Sequence, residues 1–325
     1  MNNRADFFCE KKVLVTGGAG FVGTNLVKKL VELKANVRAT FYRKFPQYEH
    51  KNIEYVFTNL KDSSYVKDAV RDMDYVFMCA AVTSGAAVID KDPLIHVHPN
   101  TEMNSMVLDE AHKAGVKKFL FISSTVVYPE TDHPVCEDDM EYGNFFHKYF
   151  FAGWMKQYSE VMCKMHSMIK NPMPVIVVRP ANLYGEYDDF DWETSHMPPA
   201  QIRKVVERHN PITVWGDGND VKDLLYVGDF VDGMLLAMEK IQNFEILNIA
   251  SGVSVTTMDV LQTALQIEGY SPEIVFDASK PSMIPKRLID TSKAEKLIGF
   301  KAQTSLYDGM KATMEWYKKV KTQES

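Results

Sequence analysis

The sequence predicts an α/β fold: a doubly wound parallel sheet covered by helices on both faces, with a smaller C-terminal lobe. Two observations carry this expectation. Strand-length apolar runs alternate with amphipathic helical stretches through the first half of the chain, and the runs are apolar throughout, as strands buried on both faces are. The first run, Lys12-Val13-Leu14-Val15-Thr16, also passes straight into a loop with glycines at 17, 20 and 23, after which helical spacing follows at Leu26, Val27, Leu30 and Leu33.

That first unit carries the most chemistry. Gly17 and Gly20 let the backbone turn and approach a pyrophosphate with no side chain in the way. Gly23 lets the helix pack closely on the strand, and Ala19, Phe21 and Val22 place the helix N-terminus, with its amide donors, at the loop. A glycine triplet set between strand and helix patterns marks a Rossmann-type, dinucleotide-binding unit. Strands are then expected over 36–42, 53–57, 75–81, 118–123 and 175–179, and helices over 63–71, 100–114 and 149–170. From Gly185 onward the pattern loosens into loops bearing Pro198, Pro199 and Pro211. Short strands are expected there over 213–215 and 246–249, and helices over 200–208, 227–241, 257–268 and 304–320. The expected division is a dinucleotide-binding domain over 1–184 and a smaller substrate lobe over 185–325. With no linker between them the two should form one unit, and a ligand should lie at the sheet's carboxyl edge.

The bulk numbers narrow the class. A chain of 325 residues, 46% hydrophobic and 25% charged, has length for a sizeable core and two joined domains. A net charge of −6 with dispersed lysines and arginines argues against a nucleic-acid or anionic-membrane surface. Cys9, Cys79, Cys136 and Cys163 are far apart, and neither they nor the scattered histidines have metal-ligand spacing. The longest apolar runs are strand-sized and the N-terminal stretch is polar, so a cytoplasmic, reduced protein with no membrane span is expected.

The second strand ends in Ala39-Thr40-Phe41-Tyr42-Arg43-Lys44, with two cations where an acid would hold the adenosine ribose of NAD(H). Arg43 or Lys44 would meet a 2′-phosphate, which leans the choice toward NADP(H); a solvated pair at a strand end reads the same. Asn59, with Leu60, follows the third strand at a position suited to the adenine edge, although a turn asparagine has the same signature.

Three further segments raise the specificity: Ser123-Ser124-Thr125-Val126-Val127-Tyr128-Pro129, the helix start Tyr149-Phe150-Phe151-Ala152-Gly153-Trp154-Met155-Lys156, and Arg179-Pro180-Ala181-Asn182-Leu183-Tyr184-Gly185. With the glycine loop, Cys79-Ala80-Ala81, Asn100, Trp215-Gly216-Asp217-Gly218, Lys222-Asp223 and Arg287-Leu288-Ile289-Asp290, they resemble the extended short-chain dehydrogenase/reductases. These are nucleotide-sugar epimerases, dehydratases and reductases, and the resemblance runs in the family's order from Lys12 to the C-terminal helix. It implies that Ser124 hydrogen-bonds the reacting sugar oxygen and that Lys156 holds the nicotinamide ribose. Ala80, Ala81 and Asn100 are implied to line the cofactor. The family's general base is a Tyr four residues before the Lys; that position is Ala152. Without the phenol the acid/base step loses on the order of 10²–10⁴-fold. Either Ala152 is a deliberate change or the natural chain dispenses with the phenol. The intact Ser124, Lys156 and glycines favour the former.

Within the family the chain is similar to the GDP-fucose-synthase subgroup, through Tyr128-Pro129, the run from Arg179 to Phe190 and the run from Ser195 to Lys204. That subgroup epimerises with a Cys and a His, whose positions are Thr125 and Tyr187 here. The resemblance therefore implies hydride transfer at carbon 4 of a sugar nucleotide, GDP-linked by analogy, in the supply of surface polysaccharide. A 4-epimerase, a combined epimerase/reductase or a catalytically silent dinucleotide-binding protein are the alternatives. Substrate diphosphate would meet Lys222 and Arg287, with Arg203 and Lys204 either further cations or a solvated helix face, and Asn182 either orienting the sugar or holding its own loop. A homodimer through a helix bundle is implied, with Phe146, Trp154 and Met162 suited to it.

Overall fold

The protein is described by a computed structural model over residues 4–83, 88, 91–280 and 284–324. Its strands, in chain order, are β1 (Lys12–Thr16), β2 (Asn36–Phe41), β3 (Ile53–Phe57), β4 (Tyr75–Met78), β5 (Lys118–Ile122) and β6 (Val175–Pro180). Then come β7 (Asn182–Tyr184), β8 (Ile212–Trp215), β9 (Val221–Tyr226), β10 (Glu245–Ile249), β11 (Ser254–Thr256) and β12 (Ile274–Asp277). The helices are α1 (Arg4–Phe8), α2 (Phe21–Glu32), α3 (Ser63–Val70), α4 (Val97–Lys113) and α5 (Phe150–Met168), then α6 (Met197–Val206), α7 (Val227–Lys240), α8 (Thr257–Glu268), α9 (Ser292–Ile298) and α10 (Leu306–Glu324).

Seven strands form one parallel sheet in the order β10-β6-β5-β4-β1-β2-β3. Successive side chains point to opposite faces, so Val13 and Val15 join Leu26, Val27, Leu30 and Phe230 on one side. Leu14 joins Val66, Val107, Leu108 and Met162 on the other. Helices α2 and α7 thus cover the first face, and α3, α4 and α5 the second. A third cluster, with Ile202, Val205, Val214, Leu261 and Met314, forms the core of the smaller lobe. Its two short sheets run β11-β9-β7 and β12-β8.

Several expectations are corrected. The strand expected in the smaller lobe over 246–249 is β10, which pairs with β6 in the main sheet, and α7 packs on that sheet as well. The boundary at 184/185 is therefore not a break in space: the chain leaves the sheet, returns through α7 and β10, and leaves again. The fourth strand ends at Met78 rather than 81, because the chain turns toward the glycine loop and Ala80 N donates to Thr16 Oγ1 at 3.2 Å. Helices α4 and α6 start three residues earlier than expected, with Pro99, Pro198 and Pro199 in their first turns, where a missing N–H costs nothing. The polar N-terminus contains α1, anchored by fully buried Phe8 and by Phe7 stacked on Tyr75 at 5.1 Å.

Candidate active site

Parallel strands bring their carboxyl ends to one edge, so the exits of β1, β4 and β5 are neighbours there. At the exit of β1, Gly17 has φ +65° and its N–H donates to Thr40 Oγ1 at 3.0 Å. A Cβ on Gly17 would meet the Ala80 backbone at 2.8 Å, and one on Gly23 would meet Gly17 O at 2.1 Å. Gly20 caps α2 with extended backbone, and a Cβ there would meet only Gly17 O, at 3.2 Å. The loop is thus tight against its own fold at Gly17 and Gly23 and open at Gly20, directly before the amides of Phe21 and Val22. This is a backbone cradle at a helix N-terminus, and it fits a dinucleotide's phosphates.

The other expected cofactor residues divide. Ala80 lies against Gly17, at the cradle. Asn100 is buried, accepting from Val82 N at 2.8 Å and donating to Val82 O at 2.9 Å, so its amide holds the β4 exit loop in place. Asn59 accepts from Lys61 N at 3.2 Å in a turn, and Leu60 is buried in the core, which gives both a structural role. Arg43 is exposed with its guanidinium 5.9 Å from the Tyr42 ring, and Lys44 is one of the charges acting on Asp188.

At the exit of β5, Ser124 caps a single 3-10 turn, its Oγ accepting from Val126 N at 3.3 Å. Thr125 follows and is buried. From α5, Lys156 Nζ donates to the Ile122 carbonyl at 2.9 Å, which ties lysine and serine to one strand end. Burial pushes Lys156 down to about 8, partly offset by Glu160. Ala152 lies one turn earlier on the same helical face, half-buried, with only a methyl to offer.

Beneath this strand end lies a polar network that sequence reasoning missed. Glu160 accepts from Arg179 Nε at 3.0 Å and Nη2 at 2.6 Å, and from the Ser123 hydroxyl. Arg179 Nη1 donates to Tyr128 Oη at 2.8 Å, and that hydroxyl donates to Asn248 Oδ1 at 2.6 Å. Asn248 N in turn donates to the Glu137 carboxylate at 2.6 Å. The side chains of Arg179 and Glu160 are 0% and 3% exposed, so every charge here depends on its partner. The Arg179 and Tyr128 motifs were visible in the sequence; Glu160, one turn beyond Lys156, was the available signal.

The two cations expected at the diphosphate are electrostatic neighbours, and both are already engaged by protein partners. Lys222 Nζ donates to the Ile284 carbonyl, pairs with Asp220 at 3.8 Å and feels the charge of Arg287, while Arg287 donates to Pro129 O at 2.8 Å and to Tyr128 O at 3.2 Å. Tyr149 joins them, hydrogen-bonded to the Ile284 backbone and close to Arg287; burial raises its pKa. Neither Arg203 nor Lys204 is a free cation. Arg203 bonds Glu207 at 3.1 Å and Phe190 O at 2.6 Å and lies 4.2 Å over the Trp192 ring, and Lys204 donates to Thr213 O at 2.7 Å. Asn182 is exposed at the start of β7. Tyr187, at φ +68° and half-buried, packs against α2 and α10, with Lys28 Nζ 5.1 Å and the Trp316 ring 5.1 Å from its ring.

Next to Tyr187, Asp188 is buried, with Oδ2 unpartnered in the structure while Oδ1 accepts from Asp189 N at 2.8 Å. Burial pushes this carboxyl up to about 7. Folding therefore favours its protonated form, a contribution present at low pH and lost as pH rises from the ordinary carboxylate range through about 7. Asp188→Asn is expected to raise the thermal midpoint near about pH 8 and to leave it almost unchanged near about pH 4. Equal shifts at both pH values, read by calorimetry, would rule out this origin. No group of three or more His, Cys, Asp or Glu among the described residues could hold a metal ion, and no described helix is long and apolar enough to cross a membrane.

Residues 13–250 match the model of the NAD dependent epimerase/dehydratase family. The chain is 29% identical over 319 residues to the putative GDP-L-fucose synthase 2 of Arabidopsis thaliana, covering 96% of this chain and 93% of the relative. It is 26% identical over 325 residues to the dTDP-4-dehydro-6-deoxy-D-allose reductase of a Streptomyces species, covering 97% and 98%. Among solved structures, UDP-glucose 4-epimerase from Thermotoga maritima, in complex with UDP-glucose, superposes with a TM-score of 0.85. It is 27% identical, with 95% of this chain and 99% of that one covered.

Proposed function

The chain belongs to the NAD dependent epimerase/dehydratase family, and from that premise we propose a nucleotide-sugar oxidoreductase acting at carbon 4 of its sugar. One observation supports this reading above the others: consecutive strand exits of one sheet edge present the glycine cradle, Ala80 and the Ser124–Lys156 pair. When bound, a nicotinamide supplies the hydride acceptor or donor. The protein's part is to hold the phosphates at Gly17–Gly23 and to orient the sugar oxygen at Ser124. The diphosphate would be held near Lys222, Arg287 and Tyr149. Thr125, a buried hydroxyl too weak a base for a carbon-bound proton, and Tyr187, engaged with Lys28 and Trp316, do not supply the two-base chemistry of an epimerase. A 4-reductase or 4-dehydrogenase is therefore favoured over a combined epimerase/reductase, in keeping with the name of the Streptomyces relative. GDP as the nucleotide rests on the plant relative's name. Exposed Arg43 favours NADP(H) over NAD(H).

Ala152 supports one second reading, a dinucleotide-binding protein without turnover. Absorbance and mass spectrometry of the purified protein, followed by a panel of GDP-, UDP- and dTDP-sugars, separate the two. Absence of any dinucleotide at saturating NAD or NADP would overturn both.

The same reading includes a homodimer. On α5, Phe150, Phe151, Trp154, Tyr158, Met165 and Met168 are exposed at helical spacing, the pattern of a face awaiting a partner. Trp154 is part of it, as expected from the sequence; Phe146 and Met162 are instead buried within the chain. Trp154→Asp is expected to convert a dimer to a monomer in light scattering, and a wild-type monomer would dismiss the dimer.

A further inference from the structure

The helix that lacks its phenol keeps its lysine, which raises the question of where a substrate proton would go. Lys156 Nζ lies against β5, bonded to Ile122 O at 2.9 Å and 5.0 Å from the Phe121 ring centroid. The carboxylate best placed to hold it as an ammonium is Glu160, one turn along α5. That carboxylate is already engaged twice by Arg179 and once by Ser123. Cys163, the other titratable group acting on the amine, is itself buried and held as the thiol. A buried ammonium without a counter-ion of its own is disfavoured against the neutral amine, and burial brings this one down to about 8. Ala152 puts a methyl where a longer side chain would stand one turn nearer the helix start. Ser124 lies two residues beyond the carbonyl that holds the amine.

We propose that in this chain the Lys156 amine itself exchanges the proton of the reacting sugar hydroxyl, the role a phenol at position 152 would otherwise take. The inference rests on the nucleotide-sugar reading above. In the oxidative direction the oxygen–hydrogen bond breaks and its proton passes to the Nζ lone pair, giving the ammonium. A nicotinamide bound in its oxidised form would accept the carbon-bound hydrogen as hydride, leaving a ketone. Oxidation needs the neutral amine and so rises with pH through about 8, whereas reduction needs the ammonium and falls over the same interval.

The test begins without turnover. In NMR of the protein labelled with carbon-13 lysine and free of ligand, the Lys156 resonance should titrate near 8. It is assigned by its loss in Lys156→Arg or, should that variant not fold, by its displacement in Ala152→Tyr. A midpoint at the ordinary lysine value of about 10.4 would overturn the proposal. Oxidation of GDP-fucose, UDP-glucose or dTDP-glucose with NAD+ or NADP+ should then show the same midpoint. Lys156→Arg keeps the positive charge and a donor but offers no basic lone pair. With its dinucleotide affinity read by fluorescence and the dinucleotide held saturating, it should lose on the order of 100-fold or more in turnover. An unchanged rate and pH limb in that variant would also overturn the proposal. A protein that binds dinucleotide but turns over only as Ala152→Tyr overturns the role of Lys156 and leaves the nucleotide-sugar reading standing. A protein that binds no dinucleotide removes both.

Discussion

Turnover of the Ala152→Tyr variant is expected to exceed that of the chain with Ala152 by on the order of 10²–10⁴-fold, with little change in affinity for the dinucleotide. Position 152 is one helical turn before Lys156 on the same face of α5, so a phenol there would reach the lysine's end of the cleft. A neighbouring ammonium lowers the pKa of a phenol by favouring its anion, and the phenol gives the site a proton carrier better suited than the buried amine. The substitution is also structurally mild, because Ala152 is only half-buried and tyrosine is tolerated in a helix. Steady-state rates on the sugar-nucleotide panel, beside fluorescence titration of the reduced cofactor, give the comparison. A variant that binds both ligands and gains nothing would show that the missing phenol is not what limits the site.

The largest stability effect is expected at Arg179. Replacing it with leucine leaves the Glu160 carboxylate buried without its bidentate partner, and should cost about 3–5 kcal/mol. The double variant Arg179→Leu with Glu160→Met removes the orphaned charge and should recover much of that loss, because apolar groups of similar volume often replace a buried pair at little cost. Urea unfolding midpoints of the two variants read the difference. If the single and double variants unfold alike, the pair does not act as a unit. Ser123 and Tyr128 share this network, so the single variant should also disturb the β5 exit and weaken catalysis beyond what unfolding explains.

Much of the fold was legible because its signals are local. Apolar runs such as Val13–Val15, the glycines at 17, 20 and 23, and amphipathic spacing in α2 and α8 act through near neighbours, and the structure has those elements where the sequence implied them. The errors fell where a distant partner intervened. Ala80 turned out of β4 toward Thr16, and Glu245–Ile249 returned to β6 although the sequence pattern put it in the smaller lobe.

For the candidate site, the sequence by itself pointed to the backbone cradle and to Ser124 and Lys156, and it established the absence of a phenol at 152. Each of these follows from a residue type or a short spacing. Only the tertiary structure decided which polar side chains are engaged. It gave Asn100 to Val82, Arg203 to Glu207 and Phe190, and Glu160 to Arg179, and it brought Lys222, Arg287 and Tyr149 together from separate segments. The physical reason is reach. A long polar side chain looks the same in sequence whether it faces a ligand, water or a carbonyl tens of residues away. Its role is set by whichever buried partner would otherwise be left unsatisfied.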